Sequence, residues 1–129
     1  MNTEIALEKL KTYCAYQERC HQEVKEKLYK LGLYKNEVEH IIIQLIEENF
    51  LNEERFAIAY VSGKFRIKKW GRVKISVGLK QKRISTYCIK KGLEEIDEKE
   101  YFETLKYWLK RRKTIVKGKN IFEKRTKIA

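Results

Sequence analysis

The sequence predicts an all-α protein made of tandem three-helix repeats, two complete and a third partial, in an elongated curved array. Three observations carry this expectation. Pro is absent and Gly occurs only 6 times, whereas sandwiches and barrels use both residues freely at tight turns. Apolar residues recur with a helical period through most of the chain. Finally, core-like positions repeat at one constant offset, the signature of a repeat architecture. The length of 129 residues suits one compact domain or a short repeat array. Hydrophobic residues make up 43%, too many for a disordered chain, and the 37% charged residues suit a thinly cored helical fold.

The first helix is expected over about Thr3–Gln17, with Ala6, Leu7, Leu10, Tyr13 and Cys14 on one side. The second runs from about His21 to Leu31, carries Val24 and Leu28, and stops at Gly32. A third follows Asn36, read as an N-cap with Glu39 three residues on. Its apolar positions are Val38, Ile41, Ile42, Leu45 and Ile46. The run Ile41-Ile42-Ile43 could form a strand, but its flanks are helical in pattern. A fourth helix follows the N-cap Asn52, with Glu53 and Glu54 in its first turn, where carboxylates suit the helix dipole. It carries Phe56, Ala57, Tyr60 and Val61 and extends to about Lys69. The fifth covers about Arg72–Lys82. The sixth covers about Ser85–Ile96, capped by Ser85. The seventh covers about Lys99–Lys113, and a short eighth begins near Asn120.

Shifting the first three helices by 51 residues superposes apolar positions on apolar positions. Ala6 meets Ala57, Leu10 meets Val61, Val24 meets Ile75 and Leu28 meets Leu79. Leu33 meets Ile84, Val38 meets Ile89, Ile42 meets Leu93 and Leu45 meets Ile96. The pattern predicts repeats at 1–51 and 52–97, and a partial third at 98–129 with Leu105 and Leu109 as core positions. Stacked repeats extend one another's cores and give a long molecule that can lie along a long partner.

Charge is distributed unevenly. Formal net charge is +12. Residues 1–50 hold 7 Lys/Arg against 9 Asp/Glu, residues 51–97 hold 12 against 5, and residues 98–129 hold 11 against 4. Such one-sided basicity attracts polyanions. From Arg55 to Lys91 there are 12 Lys/Arg and no acid, so no carboxylate within the stretch can quench the field. Arg72, Lys80 and Arg83 are expected on one helix stripe, with Ile75 and Leu79 facing the core. Lys74 and Lys82 add to this helix, and Lys64, Arg66, Lys68 and Lys69 lead up to Trp70 and Gly71. Phe65 and Trp70 could stack on bases; the structural alternative makes Phe65 core and Trp70 a loop anchor. A second basic cluster is Lys110-Arg111-Arg112-Lys113, continued by Lys117, Lys119, Lys124, Arg125 and Lys127, and is otherwise a solvated tail. The Glu53-Glu54 turn could meet a basic partner patch or simply complement the helix dipole.

Enzyme chemistry finds no footing. Cys14, Cys20 and Cys88 lack zinc spacing, no C-x-x-C occurs, and His21 and His40 read as surface positions. There is no Gly-rich phosphate loop. No cofactor or metal is expected. The odd cysteine count argues for a reducing compartment. No apolar run reaches transmembrane length, and the early charges Glu4, Glu8 and Lys9 do not fit a signal peptide. The expectation is a cytoplasmic, monomeric protein with no membrane partner.

The segment Phe50-Leu51-Asn52-Glu53-Glu54-Arg55-Phe56-Ala57, followed by Tyr60-Val61, resembles the acidic-turn-then-Arg-Phe-Ala signature of the RecX regulatory family. That family usually has Leu-Asp-Asp or Leu-Asn-Asp there. The run Gly71-Arg72-Val73-Lys74-Ile75, continued by Leu79-Lys80-Gln81-Lys82-Arg83-Ile84, is similar to its Gly-x-x-x-Ile-x-x-x-Leu pattern, with Arg83 where Gly is common. Cys20 to Leu28, ending Leu31-Gly32-Leu33, is similar to its first-repeat helix, with Cys20 in place of Ser. The resemblance covers about residues 5–129. It implies three-helix repeats, binding in the groove of the RecA filament on single-stranded DNA, inhibition of the recombinase, and a role in DNA repair, recombination and the SOS response. The third repeat departs from the pattern by lacking its last helix. Single- or double-stranded DNA is a further candidate partner. The rivals are a free-standing helix-turn-helix module on duplex DNA, and a scaffold whose basicity is incidental.

Overall fold

The computed structural model describes residues 2–116, with side chains through Arg112. Among them are seven α-helices and no strand: α1 (Thr3–Tyr16), α2 (His21–Lys30), α3 (Lys35–Glu47), α4 (Glu53–Arg66), α5 (Arg72–Gln81), α6 (Thr86–Leu93) and α7 (Glu98–Val116). The chain divides into two compact units after Glu95. The expected eighth helix from Asn120 lies outside the described residues, as do Lys117, Lys119, Lys124, Arg125, Lys127 and the side chain of Lys113.

In the first unit, α1–α3 enclose a cluster of Ala6, Leu10, Cys14, Val24, Leu28, Leu33, Val38, Ile41, Leu45 and Leu51. In α4–α6 the buried positions are Phe56, Ala57, Val61, Phe65, Ile75, Leu79, Ile84, Cys88 and Ile89. Of the residue pairs aligned by the 51-residue offset, all are buried on both sides except Ile42 and Leu93, which are half-buried. Full burial of such a side chain stabilises by roughly 1.5–3 kcal/mol, so both triplets are held by similar apolar cores.

The offset also extends to the backbone. At the end of α2, the N–H of Gly32 donates to Tyr29 O and that of Leu33 to Leu28 O. At the end of α5, Arg83 N–H donates to Lys80 O and Ile84 N–H to Leu79 O. Both closures need a residue in the left-handed region: Gly32 has φ +89° and Arg83 has φ +60°. Glycine meets this at no steric cost, whereas Arg83 bears Cβ strain.

α4 and α6 form the most extensive helix pair. Gly92 makes this possible. A Cβ there would lie 2.9 Å from Ala57 O and 3.0 Å from Val61 Cγ2. Gly78 accommodates a second close approach, the Tyr60 hydroxyl.

Helix ends differ from expectation. The N-cap of α3 is Tyr34, not Asn36; its N–H donates to Glu37 Oε1 at 2.9 Å. Burial of Leu33 places the turn two residues earlier. α4 stops at Arg66 rather than Lys69, because Lys69 adopts φ +61° and Trp70 N–H returns to Lys64 O at 3.0 Å. α6 ends at Leu93, short of Ile96. By contrast, Asn52 and Ser85 cap as expected, accepting from Arg55 N at 2.8 Å and Cys88 N at 3.2 Å. In α7, Leu105 and Leu109 are 41% and 58% exposed, so the expected third-repeat core positions are not core among the described residues. Thr104 is the buried residue there. No helix among the described residues is long and apolar enough to cross a membrane.

Candidate nucleic-acid interface

The acid-free stretch folds into all but the first two residues of α4, the α4–α5 connection, α5 and most of α6. Its first member, Arg55, points back into the protein. Its Nε donates to Glu18 Oε2 at 2.7 Å, and its terminal nitrogens donate to Asn49 Oδ1, Asn49 O and Phe50 O at 3.0–3.3 Å. One guanidinium thereby ties the α1–α2 connection to the α3–α4 connection. Asn49 itself turns through φ +64° to present these acceptors. Arg55 is thus a positioning residue of the fold, not part of an open surface. Arg55→Ala removes hydrogen bonds to a carboxylate, a side-chain amide oxygen and two backbone carbonyls, at a partly exposed site. Chemical denaturation is expected to show a loss of about 1–2 kcal/mol.

Glu53 is also used internally. Its Oε1 accepts the Ser85 N–H at 2.9 Å, at the start of α6. The family-like acidic turn therefore joins α4 to the α5–α6 connection. Lys82 lies 3.6 Å from Glu23, and Lys91 lies 3.9 Å from Glu94. The field of the stretch is therefore trimmed by carboxylates that lie outside it in the sequence. The remaining motif residues Leu51, Phe56, Ala57, Ile75 and Leu79 are core, and Gly71 is the N-cap of α5.

Around the α4–α5 connection, Trp70 organises the cations. Lys64 Nζ is 4.8 Å and Lys74 Nζ 4.5 Å from its ring centroid, and Lys64 is also 5.4 Å from the Tyr60 ring. Two ammonium groups beside one indole favour the loop-anchor role for Trp70. Phe65 is fully buried, so it does not stack on bases. Arg66 is exposed and donates to Ser62 Oγ at 2.6 Å. Lys68 and Arg72 are exposed and Lys69 is half-buried.

The expected Arg72–Lys80–Arg83 stripe is not a single helix face. α5 ends at Gln81, so Arg83 lies beyond it in the left-handed turn. Arg72 and Lys80 are both exposed but eight residues apart, about 80° around the helix. At the far end of α5, Lys82 and Arg83 join His21 and Lys25 on the walls of a recess of about 440 Å3, which Glu26 and Glu53 also line. His21 and Lys25 carry no sequence signal that would join them to this cluster, because only the turn after α5 brings them there. Arg83→Gly relieves the Cβ strain at φ +60° while removing one charge from the recess. It is expected to raise stability by about 0.5–1 kcal/mol, read as a higher denaturant midpoint.

In the second unit, Arg111 is exposed, donates to Tyr107 Oη at 3.0 Å, and stacks near the Tyr107 and Trp108 rings. Arg112 is half-buried. No metal-binding group of side chains occurs among the described residues. Cys14, Cys20 and Cys88 are buried free thiols. Burial pushes Cys14 up to about 11 and also raises Cys20, which leaves both poor nucleophiles.

Comparison with known proteins gives these features a lineage. A family model described as RecX, second three-helix domain, matches residues 52–93. The Regulatory protein RecX of Lactobacillus johnsonii is 35% identical over 98 residues, covering 76% of this chain and 36% of that protein. Its counterpart in Lactobacillus gasseri is 31% identical over 98 residues, with the same coverage.

The chain belongs to the RecX family.

It spans about a third of the length of those two relatives. The crystal structure of RecX from Lactobacillus salivarius superposes with a TM-score of 0.81 at 22% identity, covering 97% of this chain and 81% of that one. A second crystal structure, of regulatory protein RecX, gives 0.84 at 19% identity, covering 96% and 61%. These likenesses establish the RecX helical-repeat fold.

Proposed function

We propose that this RecX-family chain is a regulator that binds the RecA recombinase filament on single-stranded DNA and inhibits its ATPase and recombinase activity, so modulating repair and recombination. The observation that carries this is the set of exposed cations that the acid-free stretch places on the α4–α5 connection, α5 and the turn after it, inside the segment that matches the RecX second three-helix domain. Lys68, Arg72, Lys74, Lys80 and Arg83 are exposed there and suit the phosphates and acidic surfaces of a nucleoprotein filament. Its relatives are named regulatory proteins, which fits a binding role rather than catalysis.

The same reading assigns three-helix repeats at 1–51 and 52–97 and a partial repeat at 98–129. The first, near neutral, would meet protein; the later, basic ones would meet acidic surfaces or DNA. A cytoplasmic monomer without cofactor fits the free buried thiols.

The test is RecA ATP hydrolysis and strand exchange on single-stranded DNA with substoichiometric protein. Both activities are expected to fall. An unchanged rate at equimolar protein overturns the proposal, and tight sequence-selective binding of duplex DNA in its place would favour a free-standing DNA-binding module.

A further inference from the structure

α5 turns two residues to the core, Ile75 and Leu79, both fully buried. On a helix the opposite face then belongs to positions 73, 74, 77, 80 and 81. Two of these are aliphatic. Val73 is 79% exposed and Val77 is 49% exposed, and they stand one turn apart. Lys74 and Lys80 flank them, and both are exposed. Just upstream, Ile67 at the end of α4 is 78% exposed.

This combination separates two kinds of polyanion. Nucleic acid meets a protein through phosphates, sugars and base edges, and uses cations, polar groups and flat aromatic rings. Branched aliphatics on a solvated helix face contribute little to that. A protein partner gains by covering them, because burying apolar surface drives association. Of the aromatic rings near this corner, Trp70 already has Lys64 and Lys74 beside it, and Tyr60 has Lys64 beside it and lies against Gly78. The cations then define the partner's sign. Lys74 and Lys80 lie on either side of the valines, so an occupant must carry carboxylates outside an apolar stripe.

We infer that the outward face of α5, built on Val73 and Val77 between Lys74 and Lys80, docks an acidic amphipathic helix of a protein partner. Apolar residues at i and i+4 of that helix cover the two valines, and flanking carboxylates meet the two lysines. Phosphate contacts fall instead to cations off this face, such as Lys68 and Arg83. The inference deepens the filament reading by giving this face a protein rather than DNA contact. It also stands on its own residues.

The experiment uses the full chain and three fluorescent probes: a helical peptide with Leu at i and i+4 flanked by Glu, a polyglutamate peptide of equal charge, and a single-stranded oligonucleotide. Binding is read by anisotropy for the unmodified protein and for Val73→Ser/Val77→Ser. Both serines replace exposed residues, and thermal melts confirm an unaltered fold. The Leu/Glu peptide is expected to bind at least tenfold tighter than polyglutamate. That advantage should vanish in the serine variant, while oligonucleotide binding changes less than twofold. Equal binding of the two peptides, binding of neither, or retention of the advantage in the variant overturns the inference. A parallel loss of oligonucleotide binding would assign the face to nucleic acid instead. Failure of RecA inhibition with the peptide advantage intact would remove the filament reading and leave this one standing.

Discussion

Arg72, Lys80 and Arg83 changed together to Glu are expected to raise the concentration of protein needed for half-inhibition of RecA about 100-fold. All three side chains are exposed, and Arg72 and Lys80 stand on α5 while Arg83 follows it. If each contributes about 1 kcal/mol to a charged partner, their loss amounts to about two factors of ten. Salt offers an independent readout. With Arg72 and Arg83 on phosphates of a single strand and Lys80 on a protein carboxylate, the slope of log affinity against log salt should fall by about 1.4 in the variant, since each phosphate contact contributes about 0.7. The structure refines what to look for. The three are not one stripe: Arg72 opens α5, whereas Lys80 and Arg83 stand together at its far end, so the Arg72 variant should add to either of the other two. Arg83 also carries strain that Arg72 and Lys80 do not, so its Gly variant separates the charge from the backbone. Full inhibition by the triple variant at unchanged concentration would detach these residues from the regulatory contact.

The second large effect concerns the fold. Gly92→Val is expected to destabilise the protein by about 3 kcal/mol, lowering Tm by roughly 10–15 °C in a circular-dichroism melt. The reason is geometric. Even the Cβ alone would press on the Ala57 carbonyl at 2.9 Å and on Ala57 C at 3.1 Å. These are backbone atoms of α4, which cannot rotate away as a side chain can. A branched residue adds further methyls between α4 and α6. Gly78 makes the useful contrast: its nearest neighbour is the end of the Tyr60 side chain, which can swing aside. Gly78→Ala should therefore cost much less than Gly92→Val. An unchanged melt for Gly92→Val would mean that α6 stands further from α4 than described.

Much of this protein was legible in its sequence. The helices follow from apolar periodicity without Pro, and the caps at Asn52 and Ser85 follow from residue type, because capping is a local event between neighbours. The 51-residue repeat was legible for a similar reason: buried positions stay apolar whatever their partners are. The family resemblance rested on Leu51–Ala57 and Gly71–Ile84, and the relatives bear it out.

Function within the motif was less legible. Arg55 opens the basic stretch and Glu53 reads as a helix-dipole or partner contact, yet Arg55 binds Glu18 and Glu53 binds the Ser85 amide. Those partners are 37 and 32 residues away, and no period or propensity encodes them. Leu105 and Leu109 matched a core pattern, yet they are exposed. Periodicity marks a face that can be buried, not whether another helix covers it.

The acid-free run from Arg55 to Lys91 is the clearest division between the two levels. The sequence by itself determined its composition: 12 cations, no acid, and a repeat whose first copy lacks that charge. Only the tertiary structure decided which of those charges face outward. Arg55 turns inward, Lys82 meets Glu23, and Val73 and Val77 emerge among the lysines of α5. The physical reason is range. Helix formation and capping are settled within a turn or two of chain, whereas the fate of a long charged side chain is settled by whatever carboxylate the fold brings within hydrogen-bond reach.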